Sequence, residues 1–270
     1  MTPSSEAPSN TSSTRAGTGG AAPPPVLRLN GVCRTYGGLR AVSDVSFEVA
    51  SGERRAVIGP NGAGKTTLFK MISREEPTTK GRVEFLGRDI TKMPAYRVAK
   101  LGLSRTYQIT RVFPSLSVLE NVVLATQGLR SGKYQMFKAA MGNKALVEDS
   151  ERAVERVGLE KVARTPAAEL GHGEQRQLEL GIALAQEPKL LLLDEPAAGL
   201  SAVERTLMRD LVRDLPEDMT LLLIEHDMEL ALGLADYVTC LHNGSQVAEG
   251  NPEEIKNNER VQDIYLGRGD

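Results

Sequence analysis

The sequence is short of the residues that mark several protein classes. It contains no tryptophan, 4% aromatic residues and two cysteines, Cys33 and Cys240, which lie far apart without metal-site spacing. We therefore expect reduced thiols of a cytosolic protein, not a disulfide framework. The longest aliphatic runs, 190–193 and 221–224, are far shorter than the roughly 18 apolar residues of a membrane-spanning helix. Any role at a membrane would therefore require another subunit.

Charge also argues against two classes of partner. The formal net charge of -2 over 270 residues provides no global basic field, so we expect no nucleic-acid partner and no direct attraction to anionic lipid. Hydrophobic residues make up 40% and charged residues 25% of the chain, as in ordinary globular proteins. This length suits one large domain, or one domain with an additional lobe.

Residues 1–25 differ from the rest because they are almost entirely Ser, Thr, Pro, Gly and Ala. Such a segment buries too little apolar surface to offset the entropy of ordering it. It also lacks the apolar core of a signal peptide and the arginines of a transit peptide. We interpret it as a disordered tail, with a targeting or docking role as the alternative. The folded domain is expected at 26–270.

Hydrophobic patterning predicts strands and helices that alternate through the second half of the chain. Short strands are predicted at 26–32 and 44–49, and later strands at 190–193, 220–224 and 237–242 alternate with helices, which is typical of a largely parallel sheet. Strand signals are scarce between 110 and 168. We expect a helical lobe there, inserted between two halves of an α/β domain. Ser117 and Glu120 are suited to cap its first helix, and a second is predicted at about 147–157.

The segment "GPNGAGKTT" matches the phosphate-binding pattern G-x-x-x-x-G-K-[ST], between a predicted strand and a predicted helix. Glycines allow backbone N–H groups to approach phosphate oxygens, and the helix N-terminus adds a positive dipole end. Lys65 is suited to the β- and γ-phosphates, and the Thr66 hydroxyl to a magnesium ion. The expected nucleotide contacts are Gly59, Pro60, Asn61, Gly62, Ala63, Gly64, Lys65, Thr66 and Thr67.

Two later strands deliver polar side chains to one edge of the predicted sheet. "LLLLDE" ends in Asp194 and Glu195, and "LLLIEHD" places His226 just beyond its end. Open α/β sheets bind ligands at the carboxyl ends of their strands. Asp194 is suited to hold Mg²⁺, Glu195 to polarise the attacking water, and His226 to contact the γ-phosphate. The alternatives are a helix-capping turn for the acids and a structural role for the histidine.

The order of these motifs, with Leu170-Gly171-His172-Gly173-Glu174-Gln175 between the phosphate loop and the acids, resembles the ATP-binding subunit of ABC transporters over roughly residues 26–267. The resemblance implies a P-loop NTPase of the ABC cassette type, with a largely parallel sheet, an antiparallel β subdomain and an inserted helical lobe. It also implies ATP and Mg²⁺ as ligands and a second ATP-binding subunit paired head to tail. Gly171, His172, Gly173 and Glu174 would then contact, in trans, the γ-phosphate held by that partner. The alternative for this glycine-rich segment is a plain helix N-cap.

The resemblance also implies roles for individual residues outside these motifs. Tyr36 matches the aromatic residue that stacks on adenine, with a core tyrosine as the alternative. Gln108 matches the glutamine that senses Mg²⁺ and the attacking water. The segment 109–116, with its apolar Phe113, is similar to the surface that receives a helix of a transmembrane permease subunit. Gly171 departs from the family pattern, because it replaces a serine whose hydroxyl would donate to the phosphate.

Within the family, "RTYQITRVFPSLSVLENV", "DEPAAGLS" and "VAEGNPEEI" are similar to importers of branched-chain amino acids and related polar solutes. This resemblance implies a peripheral ATPase subunit at the cytoplasmic face of the membrane, paired with a like or different ATPase and served indirectly by a solute-binding protein. The alternatives are the ATPase of a lipid or lipopolysaccharide exporter and a soluble ATPase acting on nucleic acid or the ribosome.

Overall fold

The computed structural model of the protein describes residues 24–106, 112–129 and 141–266. In chain order, the strands of this part are β1 (Leu27–Tyr36), β2 (Leu39–Val49), β3 (Arg54–Ile58), β4 (Lys80–Phe85), β5 (Arg88–Asp89), β6 (Leu103–Arg105), β7 (Leu190–Asp194), β8 (Leu221–Ile224), β9 (Tyr237–His242) and β10 (Ser245–Gly250). The helices of the same ranges are α1 (Lys65–Ile72), α2 (Ala95–Lys100), α3 (Val118–Leu129), α4 (Lys144–Arg156), α5 (His172–Leu184), α6 (Ala202–Arg213), α7 (Met228–Leu234), α8 (Pro252–Lys256) and α9 (Glu259–Tyr265).

A six-stranded sheet with the order β10-β9-β3-β8-β7-β6 forms the centre of the molecule. Its neighbouring strands are parallel except for β9 and β10, which form an antiparallel hairpin. The hairpin turns at Asn243 and Gly244, whose φ angles of 48° and 79° are the positive values that a type I′ turn requires. The predicted largely parallel sheet is confirmed.

A second, antiparallel sheet has the order β2-β1-β4-β5, which confirms the predicted antiparallel subdomain. Its first two strands are longer than the predicted 26–32 and 44–49. The pairing register of β1 shifts at Gly31, where φ is 55°, and the strand then continues to Tyr36. Such a bulge allows a strand to continue through a glycine, a residue that otherwise favours the end of a strand.

In the described ranges between β6 and β7 the regular elements are helices, together with one isolated β-bridge between Ser117 and Pro166. The predicted capping box is present, since Ser117 N–H donates to Glu120 Oε2 at 2.8 Å and Glu120 N–H donates to Ser117 Oγ at 3.3 Å. Helix α4 begins before the predicted residue 147, because the Asn143 side chain accepts from Leu146 N–H and caps an earlier turn. The lobe boundary at about 110–168 and the tail at 1–25 stay predictions, because residues 1–23, 107–111 and 130–140 lie outside the described part.

Strand β7 is buried on both faces, and this determines where the site lies. Leu190 and Leu192 pack in the cluster between the two sheets and α1, whereas Leu191 and Leu193 pack in the cluster on the other face. A strand covered on both sides has only its ends open to a ligand. In the described ranges no helix has both the length and the apolar character needed to cross a membrane.

Candidate nucleotide site

The loop between β3 and α1 has a backbone that only glycine can adopt at two of its positions. Gly59 and Gly64 have φ angles of 146° and 98°. A Cβ atom would lie 2.2 Å from the Leu241 carbonyl oxygen at Gly59 and 2.3 Å from the Ala41 carbonyl oxygen at Gly64. Strands β9 and β2 therefore crowd the loop from outside. Its curvature depends on both the strain-free positive φ of glycine and the absence of a side chain.

Lys65 opens α1, and its side chain is buried inside the loop. Its Nζ donates to the carbonyl oxygens of Gly59 at 2.7 Å and Pro60 at 3.0 Å. Burial lowers the pKa of Lys65, and the nearby Glu195 and Asp194 carboxylates oppose that shift more weakly. No side chain caps this helix N-terminus at Gly64, and its first turn carries no acid. The loop thus presents a cation and helix dipole suited to an anion.

A cavity of about 500 Å³ lies over this loop and brings most of the predicted contacts together. It is lined by Leu39, Arg40, Ala41, Asn61, Gly62, Ala63, Gly64, Lys65, Thr66, Thr67, Glu195 and Asn243. Arg40 and Asn243 were not predicted from the sequence. Arg40 lies at the start of β2, and Asn243 lies in the β9–β10 turn. The predicted Gly59 and Pro60 are not part of this lining; their carbonyl groups hold Lys65 instead.

Asp194 ends β7 as a buried carboxylate with one oxygen unsatisfied. Its Oδ2 accepts from Arg105 at 2.7 Å, whereas Oδ1 has no hydrogen-bond partner in the described part of the chain. Burial raises the pKa of Asp194, and the Arg105 guanidinium opposes that shift. A buried orphan carboxylate oxygen fits the ligand chemistry of Mg²⁺. No motif in the sequence indicated Arg105, which reaches Asp194 from the neighbouring strand β6.

Glu195 lies one residue beyond β7 with an unusual backbone. Its φ is 49°, a left-handed value that costs energy for a residue other than glycine. Its N–H donates to the Ile224 carbonyl oxygen at 3.0 Å, so the neighbouring strand β8 fixes this conformation. The resulting turn directs a partly buried carboxylate to the cavity over the phosphate loop.

His226 lies just past β8, which pairs with β7 through Asp194 and Ile224. Its side chain is 57% exposed and is not part of the cavity lining, so this chain alone does not bring it to the loop. The preceding Glu225, which sequence reasoning missed, is buried, and its Oε1 accepts from Ala197 N–H at 3.5 Å. Burial raises its pKa to about 7, although the Ala197 N–H opposes the shift.

The glycine-rich segment forms the N-terminus of α5, away from the cavity of its own chain. Gly171 N–H donates to Glu174 Oε2 at 2.9 Å, and Gly173 N–H donates to Glu204 Oε1 at 3.1 Å. Glu204 also forms a capping box with Ser201 at the start of α6. One carboxylate therefore links the N-termini of two helices.

Tyr36 ends β1 with 40% of its surface exposed and does not line the cavity. The Arg34 guanidinium lies 4.4 Å from the ring centroid and is held by Glu76 at 2.7 Å. One face of the ring is therefore occupied by a cation. Gln108 lies outside the described residues, as does the start of the segment 109–116.

Comparisons with known proteins place this geometry among transport ATPases. A family model described as ABC transporter matches residues 42–198, and one described as branched-chain amino acid ATP-binding cassette transporter matches residues 246–270. The high-affinity branched-chain amino acid transport ATP-binding protein LivG of Salmonella typhimurium is 38% identical over 250 residues, covering 90% of this chain and 98% of that protein.

Two solved structures are similar over nearly the whole chain. A nucleotide-free ATP-binding cassette from an ABC transporter has a TM-score of 0.78 at 30% identity, covering 89% of this chain and 98% of that one. The ADP conformation of the ATP-binding cassette MJ1267 has a TM-score of 0.78 at 28% identity, covering 90% and 99%. This likeness confirms the expected fold, and the second cassette holds a nucleotide.

The buried Glu225 carboxyl makes stability depend on pH. Its pKa rises from 4.5 to about 7 on folding, so the folded state holds more protons between these values and the free energy of unfolding falls as pH rises through them. Glu225→Gln removes this fall in the free energy of unfolding, because Gln does not titrate. We expect its stability advantage over wild type to grow by on the order of 3 kcal/mol between pH 4.5 and about pH 8.

Chemical denaturation at several pH values measures this difference. Glu229→Gln, which replaces an exposed acid on α7, is the matched control for the change from Glu to Gln. A stability difference between Glu225→Gln and wild type that does not change with pH would mean that the folded protein does not hold this carboxyl in its neutral form.

Proposed function

Because the chain belongs to the ABC transporter family, we propose that it hydrolyses ATP to power import of branched-chain amino acids or a related small polar solute. The observation that carries the proposal is the single cavity that joins the phosphate loop to the Glu195 carboxylate. The name of the relative LivG favours amino-acid import over lipid export and over an ATPase acting on nucleic acid.

The triphosphate would lie along the loop, with backbone N–H groups and the N-terminus of α1 as donors. Lys65 Nζ would exchange its two carbonyl partners for β- and γ-phosphate oxygens. Thr66 and the unsatisfied Asp194 oxygen would hold Mg²⁺, together with Gln108 from outside the described residues. The ion would neutralise charge on the phosphates. Tyr36 would stack on adenine with the face that Arg34 leaves open.

Hydrolysis needs a water polarised against the γ-phosphate, and Glu195 is suited to that role because its carboxylate already faces the loop. His226 would contact the same phosphate. Since its side chain is largely exposed and outside the cavity, this contact requires closure around bound ATP. Nucleotide binding would therefore need the loop alone, whereas hydrolysis would need a closed site.

Replacing Glu195 tests this separation. Glu195→Gln keeps the shape of the side chain but is a far weaker base, so we expect ATP turnover to fall about a hundredfold or more. Binding of Mg-ATP should persist, because the loop donors are unchanged. Steady-state hydrolysis and equilibrium binding measure the two effects. Glu253→Gln, an exposed acid on α8, is the control, and near-wild-type turnover by Glu195→Gln would remove Glu195 as the catalytic carboxylate.

The glycine-rich segment at α5 would serve the loop of a second ATP-binding subunit in a head-to-tail pair. Its position outside the cavity of its own chain supports this assignment. Gly173 N–H would have to leave Glu204 to reach a phosphate, so pairing would involve an exchange of one anion for another. Gly171 contributes no hydroxyl, which leaves backbone donors and the helix dipole to hold the γ-phosphate.

A Gly173→Asp chain paired with a distinguishable partner subunit tests the trans assignment. The added carboxylate would repel phosphate, so photoreactive ATP should label the partner's loop much less, while this chain's loop is labelled normally. A Cβ atom at residue 173 would lie 2.4 Å from Glu204 Oε1, so ATP affinity of the isolated variant serves as the control for damage within its own chain. Loss of labelling confined to the variant's own loop would refute the assignment.

Transmembrane permease subunits would complete the transporter, with the chain peripheral at the cytoplasmic face and a solute-binding protein acting indirectly. Phe113 is 56% exposed beside the undescribed residues 107–111 and would offer an apolar anchor. A cavity of about 320 Å³ near α2 offers a second surface, lined in part by Tyr96, Leu103 and Arg105. Since Arg105 also bonds Asp194, a partner docked there would lie one side chain from the metal ligand.

A further inference from the structure

The last described helix reaches the start of the phosphate loop. The Gly59 N–H donates to the Tyr265 hydroxyl oxygen at 2.9 Å, across a separation of 206 residues. Helix α9 is well anchored behind this contact. Asn258 caps it by accepting from Val261 N–H, and Val261 and Ile264 are buried. The hydroxyl is therefore presented to the loop by a capped helix whose apolar side chains are buried.

Gly59 is held on both sides of its α-carbon. Its N–H bonds Tyr265, and its carbonyl oxygen accepts from Lys65 Nζ at 2.7 Å. The Leu241 carbonyl oxygen lies 2.2 Å from the position that a Cβ atom would take, so Gly59 has little freedom to move toward β9. Because Gly59 bonds both groups, loss of the hydrogen bond at its N–H would affect the position of the Lys65 ammonium group through Gly59 alone.

We propose that Tyr265 is a positioning residue of the nucleotide site, whose hydroxyl holds the first peptide of the phosphate loop in its binding shape. The inference rests on the proposed ATP site and adds the C-terminal helix to it. Removing the hydroxyl leaves the part-buried Gly59 N–H without this acceptor. An unsatisfied amide favours rearrangement of the loop, which weakens the hold on phosphate.

The hydroxyl acts as a neutral group. Burial raises the pKa of Tyr265 to about 12, against the opposing effect of the Gly59 N–H, so the phenol keeps its proton at physiological pH. Its oxygen accepts from Gly59, and its own proton stays available to donate. The contribution of Tyr265 to ATP affinity should therefore be constant between about pH 6 and pH 9.

The test compares Tyr265→Phe with Ile264→Ala in the full chain. Tyr265→Phe keeps the ring and removes the hydroxyl, so we expect ATP affinity to fall about tenfold, and KM to rise with kcat unchanged. Ile264→Ala removes buried apolar side-chain atoms from the same helix and leaves the Tyr265 hydroxyl in place. It should lower the melting temperature by at least about 5 °C and leave ATP affinity unchanged.

Two results would overturn the inference. Either Tyr265→Phe binds ATP as tightly as wild type, or Ile264→Ala loses as much affinity, in which case α9 acts only through general stability. Lys65→Ala separates this failure from a failure of the proposed function. Wild-type binding that Lys65→Ala does not weaken would overturn both proposals. Binding that Lys65→Ala abolishes and Tyr265→Phe leaves intact would overturn the inference alone.

Discussion

Crowding of the phosphate loop by neighbouring backbone is the constraint on which the rest of the site depends. The carbonyl oxygens of Leu241 and Ala41 occupy the positions that side chains would take at Gly59 and Gly64. These carbonyls come from β9 in one sheet and β2 in the other, so the loop has its shape only when both sheets are in place. Lys65 then fills the loop and satisfies its ammonium with the loop's own carbonyl groups.

Around this loop the parallel sheet concentrates acids at one edge. Asp194 and Glu225 are both buried, and burial raises the pKa of each. Glu195 occupies a left-handed conformation between them. Buried acids and a strained backbone reduce stability, and they are retained where a ligand or a reaction uses them. The Asp194 oxygen that has no hydrogen-bond partner in the described residues is suited to a cation. Glu195, which lines the cavity, is suited to polarise a water.

Local patterns predicted the parts of the site that are local in the chain. The phosphate loop, the acids after β7 and the capping box of Ser117 and Glu120 each lie within a few residues, so the sequence spacing alone determines their local geometry. Arg105, Glu204 and Tyr265 were not predicted as site residues, because their partners Asp194, Gly173 and Gly59 lie 89, 31 and 206 residues away. Contacts at such separations depend on the tertiary fold.

Titration calorimetry of a Gly64→Ala chain tests whether this crowded loop binds ATP. A Cβ atom at Gly64 would lie 2.3 Å from the Ala41 carbonyl oxygen, whereas one at the exposed Gly233 of α7 would meet nothing within 4 Å. We predict that wild type and Gly233→Ala bind ATP alike and that Gly64→Ala, while folded, binds at least about tenfold more weakly. Equal affinity of Gly64→Ala and wild type would contradict it.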